Sequence, residues 1–413
     1  MKKALVFYLY GNRNAGDMAI CMGTIEYLKQ KGYDITMVSR FSEAEAEYQR
    51  SKKYVTEYYP EVKVYPGPFS FERDYSKLQK LIAYGKSYLK VLGVIADKQT
   101  KDLIRNADVV FFNGGNLLRA ASMADYLRLI ALFYPIEIAR KMGKPVYCLP
   151  QSTAKISNTG EKLLRKYLKC FDKIFVREKI SFDELSKRFP DISFARCTDM
   201  AFLCSDTKVA ERKFEDLALN IEKNTMAIVV RNTGIGDIGE LDADKQEKLL
   251  SRLETIIKKQ EDQQYLIVVQ TEKDRNFSQK VLEYISTSNT VQMIESHDPM
   301  VLREIYKRVD GLITMRLHAA ILSLSAFTPV LGIFSEEWGL KNPGIMRDYG
   351  MNYWIVEDDK DKEITIARNH DEGAIRNCIL NYSSELENIG GGVKQHTLSA
   401  NLVVVISALE VAA

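Results

Sequence analysis

Short apolar runs alternate with amphipathic helical patterns along most of this 413-residue chain. Ten of these runs have the length and composition of buried strands: 4–10, 34–39, 108–113, 145–149, 173–176, 226–231, 265–270, 291–294, 311–315 and 330–334. The clearest helical patterns between them cover 18–31, 123–141, 162–170, 245–259 and 317–326. Apolar strands separated by helices are typical of parallel sheets covered on both faces, so we predict an α/β protein.

The alternation pauses between Cys204 and Thr225, where the polar stretch 206–213 predicts a connector. A chain of 413 residues is also longer than one hydrophobic core usually serves. We therefore predict two Rossmann-like domains, 1–205 and 206–390, that face a central cleft, followed by a C-terminal tail at 391–413. Clefts of this kind commonly bind ligands.

Composition and charge exclude several classes of protein. With 58 Lys and Arg against 55 Asp and Glu, the net charge of +3 is too balanced for a dedicated nucleic-acid binder. Six scattered cysteines without a C-x-x-C pair fit neither a disulfide scaffold nor a zinc ribbon, and four histidines without H-E-x-x-H predict no metal site. No apolar stretch approaches the length of about 18 residues that a membrane span needs, and 4–10 lacks a cleavage site. We expect a cytoplasmic protein.

Two glycine-rich motifs do not match the nucleotide sites that they resemble. The spacing at 234–239 is G-x-G-x-x-G, but Asp237 and the acidic residues after it would repel a pyrophosphate, which predicts an acidic loop. Segment 11–16 has the spacing of a P-loop, but Asp17 and Met18 stand where lysine and a hydroxyl residue are needed. Asp17 is therefore either a helix cap or a group that acts on a hydroxyl.

The segment 73–105, which we call the basic segment, carries eight Lys or Arg residues against three Asp. Apolar residues recur in it at helical spacing, with lysines between them. Two interpretations stay open: a helix with a solvated cationic face, or a contact with an anionic bilayer or a lipid-linked acceptor.

The strongest functional signal lies at 312–322, where an apolar strand leads within two residues into a helix. This places Arg316 and His318 at the carboxyl edge of the second sheet, where open α/β folds bind ligands. Arginine opposes the helix dipole at this position, and a bound anion would resolve the conflict. The alternative is a buried, hydrogen-bonded histidine.

Other predicted strands also end in polar residues. Arg177, Arg231 and Gln151 each follow one strand, and Gly114-Gly115-Asn116 follow another. Several arginines at strand ends indicate a small polyanionic ligand. By contrast, Ser181 opens a pattern typical of a capping box, with Glu184 three residues later.

Together these residues resemble the polysaccharide pyruvyl transferase family. The matching motifs occur in order over most of the chain: Gly11-Asn12-Arg13-Asn14-Ala15-Gly16-Asp17, Asn113-Gly114-Gly115-Asn116, Gln151-Ser152, Arg177-Glu178-Lys179, Thr198-Asp199-Met200 and Met315-Arg316-Leu317-His318. Two departures occur. Asn116 stands where a third glycine is common, and the usual Tyr-x-x-Lys is replaced by a longer segment that ends at Lys341.

The resemblance implies a GT-B-like fold and transfer of a pyruvyl group from phosphoenolpyruvate onto two hydroxyls of one sugar. The product is a ketal in a cell-surface polysaccharide or its lipid-linked precursor, and phosphate is released. The family's Arg-Leu-His motif, associated with phosphoenolpyruvate, corresponds to Arg316 and His318. The N-terminal domain would then bind the acceptor and the C-terminal domain the donor. No cofactor or metal is expected.

The chemistry of this reaction gives the residues their roles. Phosphoenolpyruvate carries a carboxylate and a phosphate, so its pocket needs fixed cations, for which Arg316, Arg177 and Lys341 are candidates. His318 would protonate C3 or stabilise the departing phosphate, and Asp17 first or Asp199 second would accept the proton of the acceptor hydroxyl. The remaining residues assigned to substrate binding are Arg231, Asn14, Gly16, Gly114, Gly115, Asn116 and Gln151.

Two other functions stay open. A GT-B glycosyltransferase that uses a nucleotide sugar would also hold an anionic donor with two α/β domains, so fold does not separate the two activities. A sugar- or anion-binding protein without catalysis would bind ligand but release no phosphate.

Overall fold

The computed structural model describes residues 1–69, 77–222, 224–233, 240–258, 264–285, 291–334, 341–348 and 355–357. The chain divides into two compact units. The first contains Met1–Asn12 with Ile20–Leu203, and the second contains Arg13–Ala19 with the described chain from Cys204 onward. The predicted tail at 391–413 and the predicted acidic loop at 234–239 lie outside the described residues.

The first unit is built on an eight-stranded parallel sheet with the order β3-β2-β1-β4-β6-β7-β8, in which β5 pairs with β6. Its strands are β1 (Lys3–Leu9), β2 (Asp34–Ser39), β3 (Lys63–Tyr65), β4 (Val109–Phe112), β5 (Gly115–Ala120), β6 (Val146–Ile156), β7 (Lys173–Val176) and β8 (Phe194–Arg196). The helices are α1 (Ala15–Gln30), α2 (Ala46–Tyr58), α3 (Lys77–Val91), α4 (Lys98–Asn106), α5 (Met123–Lys141), α6 (Asn158–Leu168) and α7 (Lys179–Arg188).

The second unit has a six-stranded parallel sheet with the order β11-β10-β9-β12-β13-β14. Its strands are β9 (Thr225–Val229), β10 (Gln264–Val269), β11 (Val291–Glu295), β12 (Gly311–Thr314), β13 (Val330–Phe334) and β14 (Ile355–Glu357). Its helices are α8 (Lys208–Glu215), α9 (Ala243–Lys258), α10 (Arg275–Ile285), α11 (Pro299–Lys307), α12 (Leu317–Ser325) and α13 (Lys341–Asp348).

Both sheets have a reversal of strand order beside their first strand, which is where open α/β sheets bind ligands. In each sheet the chain runs from a central strand to one edge and then returns to the other side of that strand. The strand order therefore reverses between β1 and β4 in the first sheet and between β9 and β12 in the second. Ligands of open α/β sheets bind beyond the carboxyl ends of the strands at such a reversal.

All ten predicted strands are present, and the α/β prediction is confirmed. The central strands are buried along their whole length, as in β4 and β9, because helices cover both faces of a parallel sheet. The structure adds β3, β5, β8 and β14, and it extends β6 to Ile156 because β5 pairs along its second half.

Two local predictions were wrong. The polar stretch at 206–213 is not a connector, because α8 begins there at Lys208 with Thr207 as its N-cap. Ser181 does not open a helix either: α7 begins at Lys179, and Ser181 lies buried in its first turn. The Ser181 hydroxyl donates to the Glu178 carboxylate and accepts a 2.8 Å bond from the Thr153 N–H, so it holds α7 against β6.

An ion-pair cluster fixes the start of the second unit. The carboxylate of Asp206, just before α8, accepts hydrogen bonds from Arg303 and, at 2.5 Å, from the Lys307 Nζ of α11. Burial opposes the charged form of Asp206, but Arg303 and Lys307 outweigh it and lower the pKa of this carboxyl to about 2. Arg303 also donates from Nη2 to the Ser325 carbonyl at 2.9 Å, which links the cluster to α12.

Candidate functional site

Arg316 is held by a carboxylate at the carboxyl edge of the second sheet. It occupies the N-cap position of α12, immediately beyond β12 and Met315. Its Nε and Nη2 both donate to Asp274, with 2.8 Å between Nη2 and Oδ1. Asp274 is almost fully buried and also accepts a 2.9 Å bond from the Asn232 N–H. This fork fixes the plane of the guanidinium.

Asp274 also changes the electrostatic argument for this edge. A cation at the N-terminus of a helix is unfavourable, and the sequence predicts a bound anion as its counterion. The protein itself supplies that negative charge through Asp274. Sequence reasoning missed this residue, although its position a few residues beyond β10 places it at the same edge of the sheet.

The structure brings Arg231 and Arg316 together around Thr233. Arg231 follows β9 and Val230, is buried, and donates from Nε to the Thr233 carbonyl at 2.9 Å. The Thr233 hydroxyl lies 3.5 Å from Nη2 of Arg316. Because β9 and β12 are the two strands at the reversal of strand order, both arginines lie where a ligand is expected. Two cationic side chains therefore lie at this edge, and Asp274 forms an ion pair with Arg316.

His318 packs directly against Gly16. The imidazole lies in the first turn of α12 and is half-buried. A Cβ built on Gly16 would overlap its Nδ1 and lie 2.6 Å from its Cγ. Only glycine allows this approach without a shift of the ring, which explains why the first turn of α1 has no side chain at this position. Segment Arg13–Ala19 accordingly groups with the second unit.

Asn14, and not Asp17, caps the helix that follows this loop. The Asn14 side-chain oxygen accepts a 3.0 Å bond from the Gly16 N–H, and its amide nitrogen donates to Asp17 Oδ2 at 3.0 Å. Asp17 is half-buried in the first turn of α1. The cap orients the Asp17 carboxylate one residue beyond the glycine that contacts His318. Asn14, Gly16, Asp17 and His318 thus form one group.

Arg177 and Asp199 form a buried ion pair in the first unit. Arg177 Nη1 donates to Asp199 Oδ2 at 2.5 Å, and its Nε donates to the Ser152 hydroxyl. The Glu178 carboxylate lies 3.7 Å from the same Nε. Burial opposes the charge, but Asp199 and Glu178 raise the pKa of Arg177 above its usual value. Both side chains of the pair are 2% exposed, which favours a positioning role over direct contact with substrate.

Gln151 shapes the glycine-containing segment after β4. It is fully buried, donates from Nε2 to the Asn113 carbonyl at 2.6 Å and accepts at Oε1 from the Leu117 N–H at 3.1 Å. Gly115 has a φ of +135°, and a Cβ there would lie 2.7 Å from the Tyr10 hydroxyl. Of the segment Gly114-Gly115-Asn116, the last two residues belong to β5, which begins at Gly115.

Two further predicted residues flank these groups. Gly114 is buried, its carbonyl accepts a 2.7 Å bond from the Tyr10 hydroxyl, and a Cβ on it would lie 2.8 Å from the Pro150 carbonyl. Asn116, by contrast, is exposed. Lys341 is the first residue of α13, and its side chain lies outside the part of the chain that the structure describes.

A family model matches the chain, and so do many solved structures, three of which are described here. The model of the polysaccharide pyruvyl transferase family matches residues 14–334. UGT2 of Phytolacca americana, solved with UDP-2-fluoro-glucose and pterostilbene, has a TM-score of 0.54 and 8% identity over 94% of this chain and 99% of its own. A UDP-glucosyltransferase of Polygonum tinctorium has a TM-score of 0.53 and 11% identity over 99% and 98% of the two chains.

The UDP-GlcNAc 2-epimerase of Neisseria meningitidis, bound to UDP-GlcNAc, has a TM-score of 0.51 and 12% identity over 99% of this chain and 100% of its own. At these identities the structural likeness establishes the fold alone, which is the GT-B fold. A search of curated protein sequences finds no match.

Proposed function

This chain belongs to the polysaccharide pyruvyl transferase family, and from that premise we propose that it transfers a pyruvyl group from phosphoenolpyruvate onto two hydroxyls of one sugar. The observation that carries the proposal is the convergence of Arg231 and Arg316 on Thr233, with His318 in the next helical turn. This arrangement combines fixed cations with a proton donor at one edge of one sheet.

The two arginines supply the charges that phosphoenolpyruvate requires. The phosphate and the carboxylate of phosphoenolpyruvate together carry more negative charge than the single carboxylate of Asp274. Planar guanidinium groups bind both anionic groups in two-point contacts. The N-terminus of α12 adds backbone N–H groups that favour an anion. We assign Lys341 to the same donor pocket on the basis of the family motif.

The proposed reaction balances without a cofactor or a metal. The first acceptor hydroxyl bonds to C2 while C3 gains a proton and becomes a methyl group. The second hydroxyl then bonds to C2 as the C2–O bond to phosphate breaks. One of the two hydroxyl protons ends on C3 and the other on inorganic phosphate.

His318 and Asp17 are the proposed proton-transfer groups. Histidine exchanges protons near neutral pH, and His318 is half-buried beside the arginine that would hold the donor. Asp17 lies one residue from Gly16, which contacts the imidazole. We therefore propose that His318 protonates C3 and that Asp17 accepts the hydroxyl proton. The buried pair of Arg177 and Asp199 would position the segments after β6 and β7, where Gln151 and the glycines serve the acceptor.

We further propose that the protein acts in the cytoplasm at the inner face of the membrane, on a lipid-linked acceptor. None of the described helices is both long and apolar enough to cross a bilayer. The C-terminal part of α3 and the turn after it nevertheless expose apolar side chains, including Leu92 (57% exposed) and Val94 (69%). Lys86 and Lys98 are exposed in the same stretch.

A second exposed apolar stretch lies on α5. Met123, Leu127, Ala131, Tyr134 and Ile138 recur at helical spacing and form one stripe. The last three pack in a cluster with Phe69 and with Val91 of α3, whereas Met123 and Leu127 are 69% and 53% exposed. Apolar side chains beside lysines fit the interface of an anionic bilayer.

A titration tests the donor assignment against the nucleotide-sugar alternative. We would titrate the protein calorimetrically with phosphoenolpyruvate, a UDP-sugar and a GDP-sugar, for the native chain, Arg316→Ala and the surface control Arg105→Ala. Phosphoenolpyruvate should bind the native chain and the control and lose at least about tenfold in affinity in Arg316→Ala. Binding of a nucleotide sugar without a response to phosphoenolpyruvate would instead favour glycosyl transfer.

A further inference from the structure

Three arginines meet at the carboxyl edge of the first sheet, in a region that the donor chemistry does not use. We call Arg40, Arg119 and Arg128 the arginine cluster. Arg40 directly follows β2, and its N–H donates to the Leu9 carbonyl at 2.9 Å, so it lies next to the end of β1. Arg119 belongs to β5 and Arg128 to α5. The cluster therefore lies near the reversal of strand order in this sheet.

Arg128 is the least compensated member of the cluster. Its Nη2 donates to the carbonyls of Leu117 and Arg119 at 3.0 and 2.9 Å, which holds the side chain in place. Its Nε is buried and has no hydrogen-bond partner among the described residues. The side chain is 17% exposed, so the group is not sealed from solvent. A buried unsatisfied donor is unfavourable unless a ligand or water completes it.

Asp125, the carboxylate that lies beside Arg128, forms its hydrogen bonds with other groups. Its Oδ1 accepts a 2.7 Å bond from Arg119 Nε, and its Oδ2 accepts the N–H groups of Ala121 and Ser122 in the capping box of α5. It lies 4.0 Å from Arg128 Nε, beyond a hydrogen bond. Asp125 therefore leaves the Nε of Arg128 without a hydrogen bond, and Arg119 and Arg128 have this carboxylate between them.

The burial of Arg128 and its cationic neighbours affect its pKa. Burial, followed by the charges of Arg40 and Arg119, lowers the pKa of this guanidinium to about 10. It still carries its charge at neutral pH. An anion bound beside it would offset both the burial and the repulsion between the three cations.

We propose that the arginine cluster binds a phosphate group of the sugar acceptor. A phosphate offers several acceptor oxygens and up to two negative charges, which suits guanidinium groups that converge from three different elements. The assignment to the acceptor rests on the proposed function, in which the first unit binds the sugar. The presence of an anion site does not rest on it. A lipid-linked sugar carries its phosphate next to the sugar ring, so the cluster would anchor the substrate while the hydroxyls react.

The test separates this site from the donor site by using the full chain in the Arg316→Ala background. Inorganic pyrophosphate is the probe, titrated calorimetrically. We expect Arg316→Ala to bind pyrophosphate and Arg316→Ala with Arg128→Met to bind it at least tenfold more weakly. Arg140→Met in the same background is the control, because Arg140 lies on the same helix but pairs with Asp172 at 2.8 Å. Equal binding by both double variants would overturn the proposal.

A second measurement guards against a folding defect. In anion-free buffer and in the same Arg316→Ala background, Arg128→Met should have a Tm no lower than that of Arg140→Met, because it removes a crowded charge, and pyrophosphate should raise the Tm of the control only. If Arg128→Met does not fold, Arg40→Met gives the same comparison and leaves the Arg128 backbone contacts in place.

The source of the phosphate is decided by comparing the binding of glucose 1-phosphate, glucose and inorganic phosphate in the Arg316→Ala background. Tighter binding of glucose 1-phosphate than of inorganic phosphate, lost in Arg128→Met, supports the acceptor. Equal binding of the two would overturn the acceptor assignment. Loss of phosphoenolpyruvate binding in Arg316→Ala remains the separate test of the donor site.

Discussion

Gly16 lies so close to the imidazole of His318 that a single added methyl group would overlap Nδ1. The contact joins the first turn of α1 to a helix some 300 residues later. It places the proposed proton donor beside the segment that carries Asp17, the proposed base. If this contact serves catalysis, changes at either residue should reduce turnover.

Replacing Gly16 by alanine should lower kcat by about tenfold to a hundredfold, because the imidazole must move and misplaced catalytic groups lose rate steeply. Phosphate release from phosphoenolpyruvate in the presence of acceptor measures this. Gly85→Ala on α3 is the matched control, since a Cβ there meets nothing within 4 Å, and it should leave kcat unchanged. Full activity of Gly16→Ala would show that the close contact is not needed.

Replacing His318 by alanine should reduce turnover by at least about a hundredfold, the usual contribution of a general acid, while the fold is retained. Phosphate release reports the turnover, and near-UV circular dichroism reports the fold. Phosphoenolpyruvate should still bind, because the arginines are untouched. A folded His318→Ala protein with native activity would remove His318 from the mechanism.

Replacing Asp274 by asparagine should weaken phosphoenolpyruvate binding and lower the free energy of unfolding by about 1–3 kcal/mol, since Arg316 loses its charged partner. Calorimetry measures the first effect and urea unfolding the second. Asp183→Asn, which alters an exposed pair with Lys179 on α7, should change neither. If Asp274→Asn binds the donor as tightly as the native chain, the carboxylate does not orient Arg316 for this purpose.

Replacing Asp206 by asparagine should destabilise the protein by about 1 kcal/mol at pH 7, a value discounted for the partial exposure of this ion-pair cluster. The pKa of Asp206 is about 2 in the folded state, below the usual value of 3.8. Its contribution is therefore complete above about pH 4 and is lost as the pH falls toward 2. Urea unfolding of the native and variant chains across this range should show the difference disappearing in acid. A difference independent of pH would contradict this cause.

Replacing Leu92 and Val94 together by serine should abolish binding to vesicles of phosphatidylcholine with phosphatidylglycerol, because the exposed apolar surface after α3 is removed. Cosedimentation measures binding, and vesicles of phosphatidylcholine alone should bind the native chain weakly at best. Met293→Ser on β11 is the control for an exposed apolar residue in the other unit. Equal sedimentation of the variant and the native chain would exclude this surface.

The sequence predicts much of the sheets and less of the site, for physical reasons. Buried parallel strands such as β1 and β9 are uninterrupted apolar runs, so periodicity finds them. The sequence pattern does not predict β5, because this strand begins at Gly115 and carries the polar residues Asn116 and Arg119. The two short strands β3 and β8 have only three residues each, too few for a periodic pattern.

The same contrast holds for the candidate site. Arg316 and His318 are visible because they are neighbours in the chain at a strand end. Asp274 and Thr233 are partners of Arg316 only in space, more than 40 residues away in the chain, and no local pattern pairs them with it. The cap formed by Asn14 and the burial of Arg177 beside Asp199 likewise depend on the folded backbone.

The grouping of Arg13–Ala19 with the second unit limits how this enzyme can be rearranged by evolution or engineering. A gene fragment that starts at Cys204 would encode Arg231, Arg316 and His318 but not Gly16, against which the imidazole packs. The N-terminal and C-terminal halves of the sequence consequently cannot be exchanged independently. A hybrid that takes its C-terminal half from a relative must also take the segment of that relative that corresponds to Arg13–Ala19. Otherwise its histidine would pack against a segment from a different protein.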